Sequence, residues 1–579
     1  MASVAPWSLA CVLAACSGPA ESADVARRGE LPKPGSQLFT RLPSSATGIR
    51  FENRLKSSAD FNVFTYRNFY NGGGVAIGDL TGDGLPEVVL TSNLDGPRVY
   101  LNEGHFAFRD VTRRSGVEHA KGSWTTGVAL ADVNGDGRLD IYISKAGQGE
   151  PATRANELWI NRGVKDGVPT FEDLAKQYGV ADEGMTTQVA FLDYDGDGDL
   201  DLFVMNNSMR PANTFGLRIS RDQQSQYGDR LYRNDGQHFT DVAISAGIHG
   251  PEMAFGLGVV VADVNNDGRP DLYVANDFFE RDYLYVNRGD GTFSETLDRQ
   301  MPVVSFSSMG LDVADVDNDG WPDVYTTDML PEDERRLKTT TQFESWEQYQ
   351  AKVSNGYHHQ AMRNMLQRNN RDGTFSDIGQ RAGVARTDWS WSALIADLDL
   401  DGEKDIVVTN GIAKDLTSKD YVALLGDAQT MRDATKDGRS HPDFRKLIDM
   451  MSSTPLPNYA FHNVGASRFV NEAAGWGLDT PSFSSGAAYG DLDGDGALDL
   501  VVNNIDQEAF VYRNNARVLH PQNRFLRVRL TGEGKNRFAI GARVTLYAGD
   551  SQFMTLAKGT GCPHQVKGVN NGDKFAIGE

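Results

Sequence analysis

The chain has 579 residues, too many for one ordinary hydrophobic core, so it forms several domains or one large repeat architecture. Its 79 acidic residues against 57 basic give a formal charge of −22, which excludes broad nucleic-acid binding, a property that needs a basic surface. Hydrophobic residues at 40 % and charged residues at 23 % exclude wholesale disorder, while 61 glycines beside the excess acid point to many tight turns carrying carboxylates.

The only sustained apolar stretch is residues 4–15, too short to span a bilayer as a mature helix but suited to a signal-peptide core rather than a buried N-terminal strand. It ends in Leu13-Ala14-Ala15-Cys16, which resembles a bacterial lipobox. By that resemblance residues 1–16 are a lipoprotein-type signal peptide and Cys16 is the acylated residue of an exported protein, held at a membrane only through its lipid or released as a periplasmic or extracellular form. Residues 17–36, rich in Ser, Ala, Gly and Pro, read as a flexible tether. With Cys11 removed and Cys16 acylated, Cys562 has no disulfide partner within the chain, so something else must hold an exported fold of this size.

One nine-residue motif recurs seven times. Its candidate metal ligands at positions 1, 3, 5 and 9 are Asp79, Thr81, Asp83 and Glu87; Asp132, Asn134, Asp136 and Asp140; Asp193, Asp195, Asp197 and Asp201; Asp263, Asn265, Asp267 and Asp271; Asp315, Asp317, Asp319 and Asp323; Asp397, Asp399, Asp401 and Asp405; and Asp491, Asp493, Asp495 and Asp499. Position 6 is always glycine, which permits the sharp reversal a short loop needs to wrap an ion. Ca²⁺ takes six to eight hard oxygen ligands, and position 7, whose side chain varies, can add a backbone carbonyl. Up to seven Ca²⁺ are therefore expected, bringing the formal charge from −22 to −8. An EF-hand also opens D-x-D-x-D-G but keeps its last ligand at position 12 between helices; here the flanks, such as Val75-Ala76-Ile77 and Asp271-Leu272-Tyr273-Val274, read as strands. Loops one, two and four, with Thr or Asn at position 3, are expected to bind more weakly.

Each loop is followed by an apolar strand ending in Asn (Asn102, Asn161, Asn234, Asn287, Asn369, Asn463, Asn514) and, in six cases, by a Phe strand (Phe108, Phe171, Phe239, Phe293, Phe375, Phe469). With the strand entering the next loop, that makes four strands per unit, and seven such units make an all-β, seven-bladed β-propeller over residues 37–516 rather than a linear solenoid. The seventh unit lacks its Phe strand, whereas Phe39-Thr40-Arg41-Leu42 precedes the first loop, so residues 37–51 are expected to complete the last blade and close the ring.

From each Asn marker to the next loop the spacing is 28–32 residues, but from each loop to its own Asn it runs from 23 to 66. All large insertions (about 206–230, 327–365 and 410–460) thus fall in the same connection of blades three, five and six, and should gather on one face, as binding surfaces do. Residues 331–353 and 441–452 read as helical. Trp389 and Trp391, which could form a sugar-stacking platform, read as core between blades.

These loops resemble FG-GAP/VCBS repeats of the integrin α type. Asp328-Met329-Leu330-Pro331, Asn364-Met365-Leu366-Gln367 and Thr387-Asp388-Trp389-Ser390-Trp391 resemble the bacterial cartilage-acidic-protein-like family. Phe525–Leu530, Asn536-Arg537 and Ala539–Val544 resemble the opening of that family's C-terminal ASPIC/UnbV-type module, placed at residues 523–579; bottom-up, it is a small β-module with strands on either side of Gly532-Glu533-Gly534. The match departs from about Cys562, where the module is truncated or altered. The resemblance implies a calcium-stabilised, exported or cell-surface binding and adhesion scaffold for a glycan or an extracellular protein. The alternative is a polysaccharide-processing hydrolase or lyase. No G-x-S-x-G, H-E-x-x-H or C-x-x-C motif supports it, so no catalytic residue is assigned; Tyr357, His358 and His359 are the groups it would use.

Overall fold

The computed structural model describes residues 29–118, 122–210, 225, 227–429, 432, 443–532 and 534–547, and the backbone of residue 548 and of strands Ser551–Leu556, His564–Val566 and Phe575–Ile577. The signal peptide, Cys16, Cys562, most of the expected tether and parts of the first and third insertions lie outside these residues.

Seven four-stranded antiparallel sheets form the blades of a β-propeller. The first strands, Val75–Gly78, Trp124–Ala131, Thr186–Leu192, Gly256–Ala262, Leu311–Ala314, Ser390–Ala396 and Ser484–Gly490, adjoin one another in order, and the seventh adjoins the first. Six sheets take their strands consecutively. In the seventh, Phe39–Leu42 pairs antiparallel with Phe510–Asn514, with Phe39 opposite Asn514, so the ring closes between chain segments far apart in sequence. Residues 29–36, expected as tether, carry no strand or helix but are tied to the propeller: Gly29 N–H donates to Ser45 O (3.0 Å) and Arg513 to Pro32 O (2.8 Å).

Second strands such as Glu87–Ser92 and Asp499–Asn504 are buried along their whole length because both faces pack on neighbouring blades. Tyr142, Leu158 and Ile160 of blade two, for example, share one core with Val189, Phe191 and Leu202 of blade three. That explains their continuous β-branched runs, each fully buried aliphatic side chain contributing about 1.5–3 kcal/mol. Away from the acidic loops, hydroxyls stitch blade to blade: Thr126 Oγ1 donates to Thr186 O (2.7 Å), Thr187 to Gly256 O (2.8 Å), Thr327 to Trp391 O (3.0 Å) and Thr409 to Ser485 O (2.6 Å). The blades approach too closely there for side chains, and a Cβ at Gly310 would lie 1.6 Å from Trp391 O.

The insertions leave from the connection between second and third strands, as expected. The segment expected to be helical at 331–353 forms two helices, Glu334–Thr340 and Trp346–Ser354, the second opened by a Ser345/Gln348 capping box. Residues 441–452 contain helix Arg445–Met450. The insertions of blades five and six meet: Arg336 bonds both Asp388 (3.0 Å) and Asp415 (3.2 Å), and Lys419 Nζ donates to Lys338 O (2.8 Å). Trp391 is buried with Trp124, Tyr66 and Phe69, its Nε1 donating to Gly411 O (2.8 Å), and Trp389 packs against the same cluster, so both tryptophans belong to the core.

Strands Leu526–Val528 and Arg543–Ala548 lie on either side of the 532–534 stretch. Leu526–Val528 pairs with His564–Val566, and Arg543–Ala548 with Ser551–Leu556 and Phe575–Ile577. Residues 534–543 are held against the propeller, with Asn536 N–H donating to Gly198 O (2.9 Å) and Ile540–Arg543 lining the loop end of a central cavity of about 650 Å³.

Candidate metal centre

Each acidic loop joins a first strand to a second strand and is folded by its own carboxylates. The position-1 Asp accepts the N–H of the position-6 Gly at 2.7–3.1 Å in all seven loops. The position-5 Asp accepts the position-7 N–H at 2.8–3.0 Å. Two residues per loop turn left-handed. One is the position-6 Gly; the other is position 4, held by Gly82, Gly135, Gly196, Asn266, Asn318, Leu400 and Gly494 at φ between 56° and 80°. Gly and Asn tolerate that conformation, while Leu400 adopts it at a cost and in return buries its side chain.

The position-9 carboxylate is a staple as well as a candidate ligand. One oxygen accepts the position-2 N–H (2.7–3.1 Å). The other accepts the backbone N–H of the Asn marker (2.7–3.4 Å). The Asn side chain then reaches two carbonyls, position 8 of its own loop (3.0–3.3 Å) and position 2 of the preceding blade's loop (2.7–3.0 Å). The seven Asn residues therefore tie every loop to the one before it, around the whole ring.

The donor set fits a hard divalent cation. In the four loops with Asp at position 3, three carboxylates each offer an oxygen within 4.8 Å of the others: Asp193/Asp195/Asp197, Asp315/Asp317/Asp323, Asp397/Asp399/Asp401 and Asp491/Asp493/Asp499. Asp317 Oδ1 is buried with no hydrogen-bond partner. Burial raises these carboxyls: Glu87, Asp140 and Asp201 are pushed up to about 8, and Asp271 and Asp405 to about 7. Asp317 is pushed up to about 6 by burial and then by Asp319 and Asp315. Crowded, desolvated carboxylates are stabilised by a shared cation, and oxygen-only donors match Ca²⁺.

The residue before each Asn marker was not singled out in the sequence, yet it completes the site. The three loops with Thr or Asn at position 3 have Leu101, Ile160 and Val286 there; the four with Asp have Arg233, Arg368, His462 and Arg513. In each of those four the cation faces the position-3 Asp and favours its ionised form. His462, hydrogen-bonded to Asp405, is raised to about 9 and so carries charge at neutral pH. The four ligand positions and this one neighbour sum to a formal charge of −3 in every loop, and further arginines pair with Asp136 of loop two, Asp267 of loop four, Asp319 of loop five and Asp491 of loop seven. No local sequence rule flags the residues before the Asn markers; the signal is a correlation between two positions across seven repeats.

Cations of the C-terminal segment approach the same face. Arg527 pairs with Asp491, Lys535 with Asp199, and Arg543 Nη1 lies 2.7 Å from Asn266 Oδ1. In the second insertion the three residues of the enzyme alternative are packed: Tyr357 is buried, His358 pairs with Met301 O (2.8 Å) and Asp298 Oδ1 (3.2 Å), and His359 Nδ1 with the Tyr349 hydroxyl (2.6 Å).

A ring of seven blades, each with an acidic loop between its first two strands, defines an FG-GAP-type propeller. The FG-GAP-like repeat family matches residues 79–143, 219–274, 263–326 and 354–408. The chain carries FG-GAP-like repeats and is similar to cartilage acidic protein 1. It is 26 % identical over 261 residues to cartilage acidic protein 1 of Xenopus tropicalis (43 % of this chain, 39 % of that protein). It is 27 % identical over 240 residues to the Mus musculus protein (41 % and 34 %) and 26 % over 243 to that of Homo sapiens (41 % and 33 %). The match thus spans well under half the length of these relatives. Among solved structures, an Agrocybe aegerita lectin that recognises non-reducing terminal N-acetylglucosamine aligns over 72 % of this chain and 82 % of its own at 16 % identity and a TM-score of 0.35. Bacillus licheniformis rhamnogalacturonan lyase aligns over 77 % and 72 % at 14 % identity and the same TM-score. Among the described residues no helix is long and apolar enough to cross a membrane.

Proposed function

We propose that this protein is an exported calcium-binding propeller that acts as a binding or adhesion scaffold, presenting its insertion face to a glycan or an extracellular protein. The observation that carries the reading is the set of seven acidic loops, each offering oxygen donors held by the same backbone bonds. Calcium at all 28 ligand positions, from Asp79 to Asp499, supplies charge neutralisation and a cross-link within each blade, in place of disulfides. At the roughly 10⁻⁴–10⁻³ M affinities typical of extracellular calcium modules, the ions are constitutive outside the cytoplasm and hold the scaffold rather than signal. Export through residues 1–16 and acylation of Cys16 belong to the same reading. So does a domain order of tether, propeller over 37–516 and C-terminal module over 523–579.

The insertion face supports the binding role because its described segments are tied by contacts between blades: Arg336 links helix Glu334–Thr340 to Asp388 and Asp415, and the Phe64 ring stacks on Phe444 at 4.9 Å. The test is retention of the immobilised protein on a panel of polysaccharides and matrix proteins, in calcium and in EDTA. Calcium-dependent retention without fragments supports a binding scaffold. Release of fragments points instead to a polysaccharide-processing enzyme and overturns the reading.

A further inference from the structure

Loop six differs from the other six in the chemistry of one atom. At the position before the Asn marker it carries His462, where three other four-carboxylate loops carry Arg. An arginine there can only oppose charge, since the guanidinium does not deprotonate in proteins and has no lone pair to give. An imidazole can also ligate.

The geometry favours ligation. His462 Nδ1 lies 3.1 Å from Asp405 Oδ1 and 3.7 Å from Asp399 Oδ2. The ligand atoms of these three residues all fall within 4.8 Å of one another. Two donors held about 2.1 Å from one tetrahedral or octahedral ion stand roughly 3.0–3.6 Å apart, so both separations are close to those of a shared ion. The ring is set in place by the Trp476 indole, 5.5 Å between centroids, and the side chain is 25 % exposed, which leaves the site reachable from solvent. Asp397 and Asp401 complete the donor set, their oxygens lying within 4.8 Å of Asp399's.

We propose that loop six is a mixed nitrogen–oxygen site for a divalent transition metal of the Zn²⁺ class, bound through His462 Nδ1 with Asp399 and Asp405, distinct from the all-oxygen calcium loops around it. Imidazole suits Zn²⁺, Co²⁺ and Ni²⁺, whereas Ca²⁺ and Mg²⁺ select oxygen. The proposal rests on the reading of the loops as metal sites and narrows it for one of them. A ligating His462 binds as the neutral tautomer with its hydrogen on Nε2, so taking up the metal displaces the proton that otherwise lets this side chain serve as a cation.

The discriminating variant is His462→Arg, which keeps the charge role by copying blades three, five and seven, and therefore folds, but removes the ligand. Tag-free full-length protein is stripped with chelator, equilibrated with millimolar Ca²⁺ and one equivalent of Zn²⁺, desalted, and both metals are counted per chain; Co²⁺ in place of Zn²⁺ gives a visible absorption band that reports nitrogen–oxygen ligation. The wild type is expected to hold one Zn²⁺ beside its calcium. The variant is expected to keep its calcium and its metal-free melting temperature while binding Zn²⁺ more than about 100-fold more weakly, beyond the roughly 10–100-fold loss seen on removing a merely supporting residue. Calcium bound without zinc in the wild type, or zinc retained equally by the variant, overturns the loop-six proposal alone. Failure to bind either metal overturns the calcium reading with it.

Discussion

The side-chain amide of Asn102 donates to the carbonyl of Leu492, 390 residues away in sequence and 2.9 Å away in space. This contact joins loop one to loop seven and completes a circle of seven equivalent bonds. The same nitrogen also reaches Pro86 O (3.0 Å), and Oδ1 accepts the Gly104 N–H (2.9 Å), so one buried side chain holds three strand connections.

Asn102→Ala leaves two buried carbonyls and one N–H unpartnered. At about 1–3 kcal/mol for each stranded group, an overall loss of several kcal/mol is expected, read as a lower denaturation midpoint in urea. The same change at Asn234 should cost a comparable amount, because its bonds are equivalent. Full wild-type stability in either variant would rule out the stapling role.

Removal of calcium is expected to lower the melting temperature strongly, since it leaves 25 carboxylates in seven clusters without their counter-ions. Re-addition of Ca²⁺ should restore it, with a stoichiometry approaching seven by calorimetry. An unchanged thermal transition in EDTA would remove metal from the account of stability.

Arg368 opposes Asp317 in loop five. Arg368→Leu is expected to destabilise the metal-free protein more than the calcium-loaded one, because the ion takes over part of the lost compensation. Adding Asp317→Asn should recover most of the loss by converting loop five to the composition of loops two and four. A double-mutant cycle in EDTA reads the coupling directly; a coupling of zero would show that the two positions vary independently.

Among the carboxyls outside the loops that burial raises, Asp229 reaches about 7 and Asp277 and Asp282 about 6. Their folded-state values lie above the unfolded value of about 3.9, so between roughly pH 4 and these values the folded chain holds protons that the unfolded chain has released. Each group therefore makes stability fall as pH rises through that window, by up to about 1.4 kcal/mol per pH unit. Asp229→Asn removes one such contribution. The variant should gain on the wild type between pH 5 and pH 8, compared in saturating calcium. A gap that stays constant with pH, or moves the other way, would assign Asp229 a different state.

Much of this architecture is legible in the chain itself. Asp at positions 1 and 5 and Asp or Glu at position 9, with Gly at 6, mark the loops because a tight acidic turn tolerates few other residues, and Phe39–Leu42 is recognisable as the missing strand of blade seven because the repeat is otherwise complete. What escaped lies in contacts between repeats. The Asn marker was visible as a marker, but its second carbonyl belongs to another blade. Leu400 hid the left-handed position 4, which Gly or Asn marks elsewhere. Arg233, Arg368, His462 and Arg513 look like ordinary strand residues until each is set beside its own position 3. Nor does the C-terminal segment announce its contacts locally: Asn536 and Lys535 bind loop three more than 300 residues upstream.

The strand pairing of Phe39–Leu42 with Phe510–Asn514 also sets a timetable. The outer strand of the last blade is synthesised first, and its partner follows some 470 residues later, a delay of about half a minute to a minute and a half at ordinary translation rates. Throughout that interval six blades can assemble on their neighbours, but the seventh cannot, and Phe39 has no pocket to enter. A chain crossing a membrane with its N-terminus leading thus delivers its clasp before anything exists to fasten it to, and any factor that escorts the unfinished protein must shield this short segment until the final blade emerges.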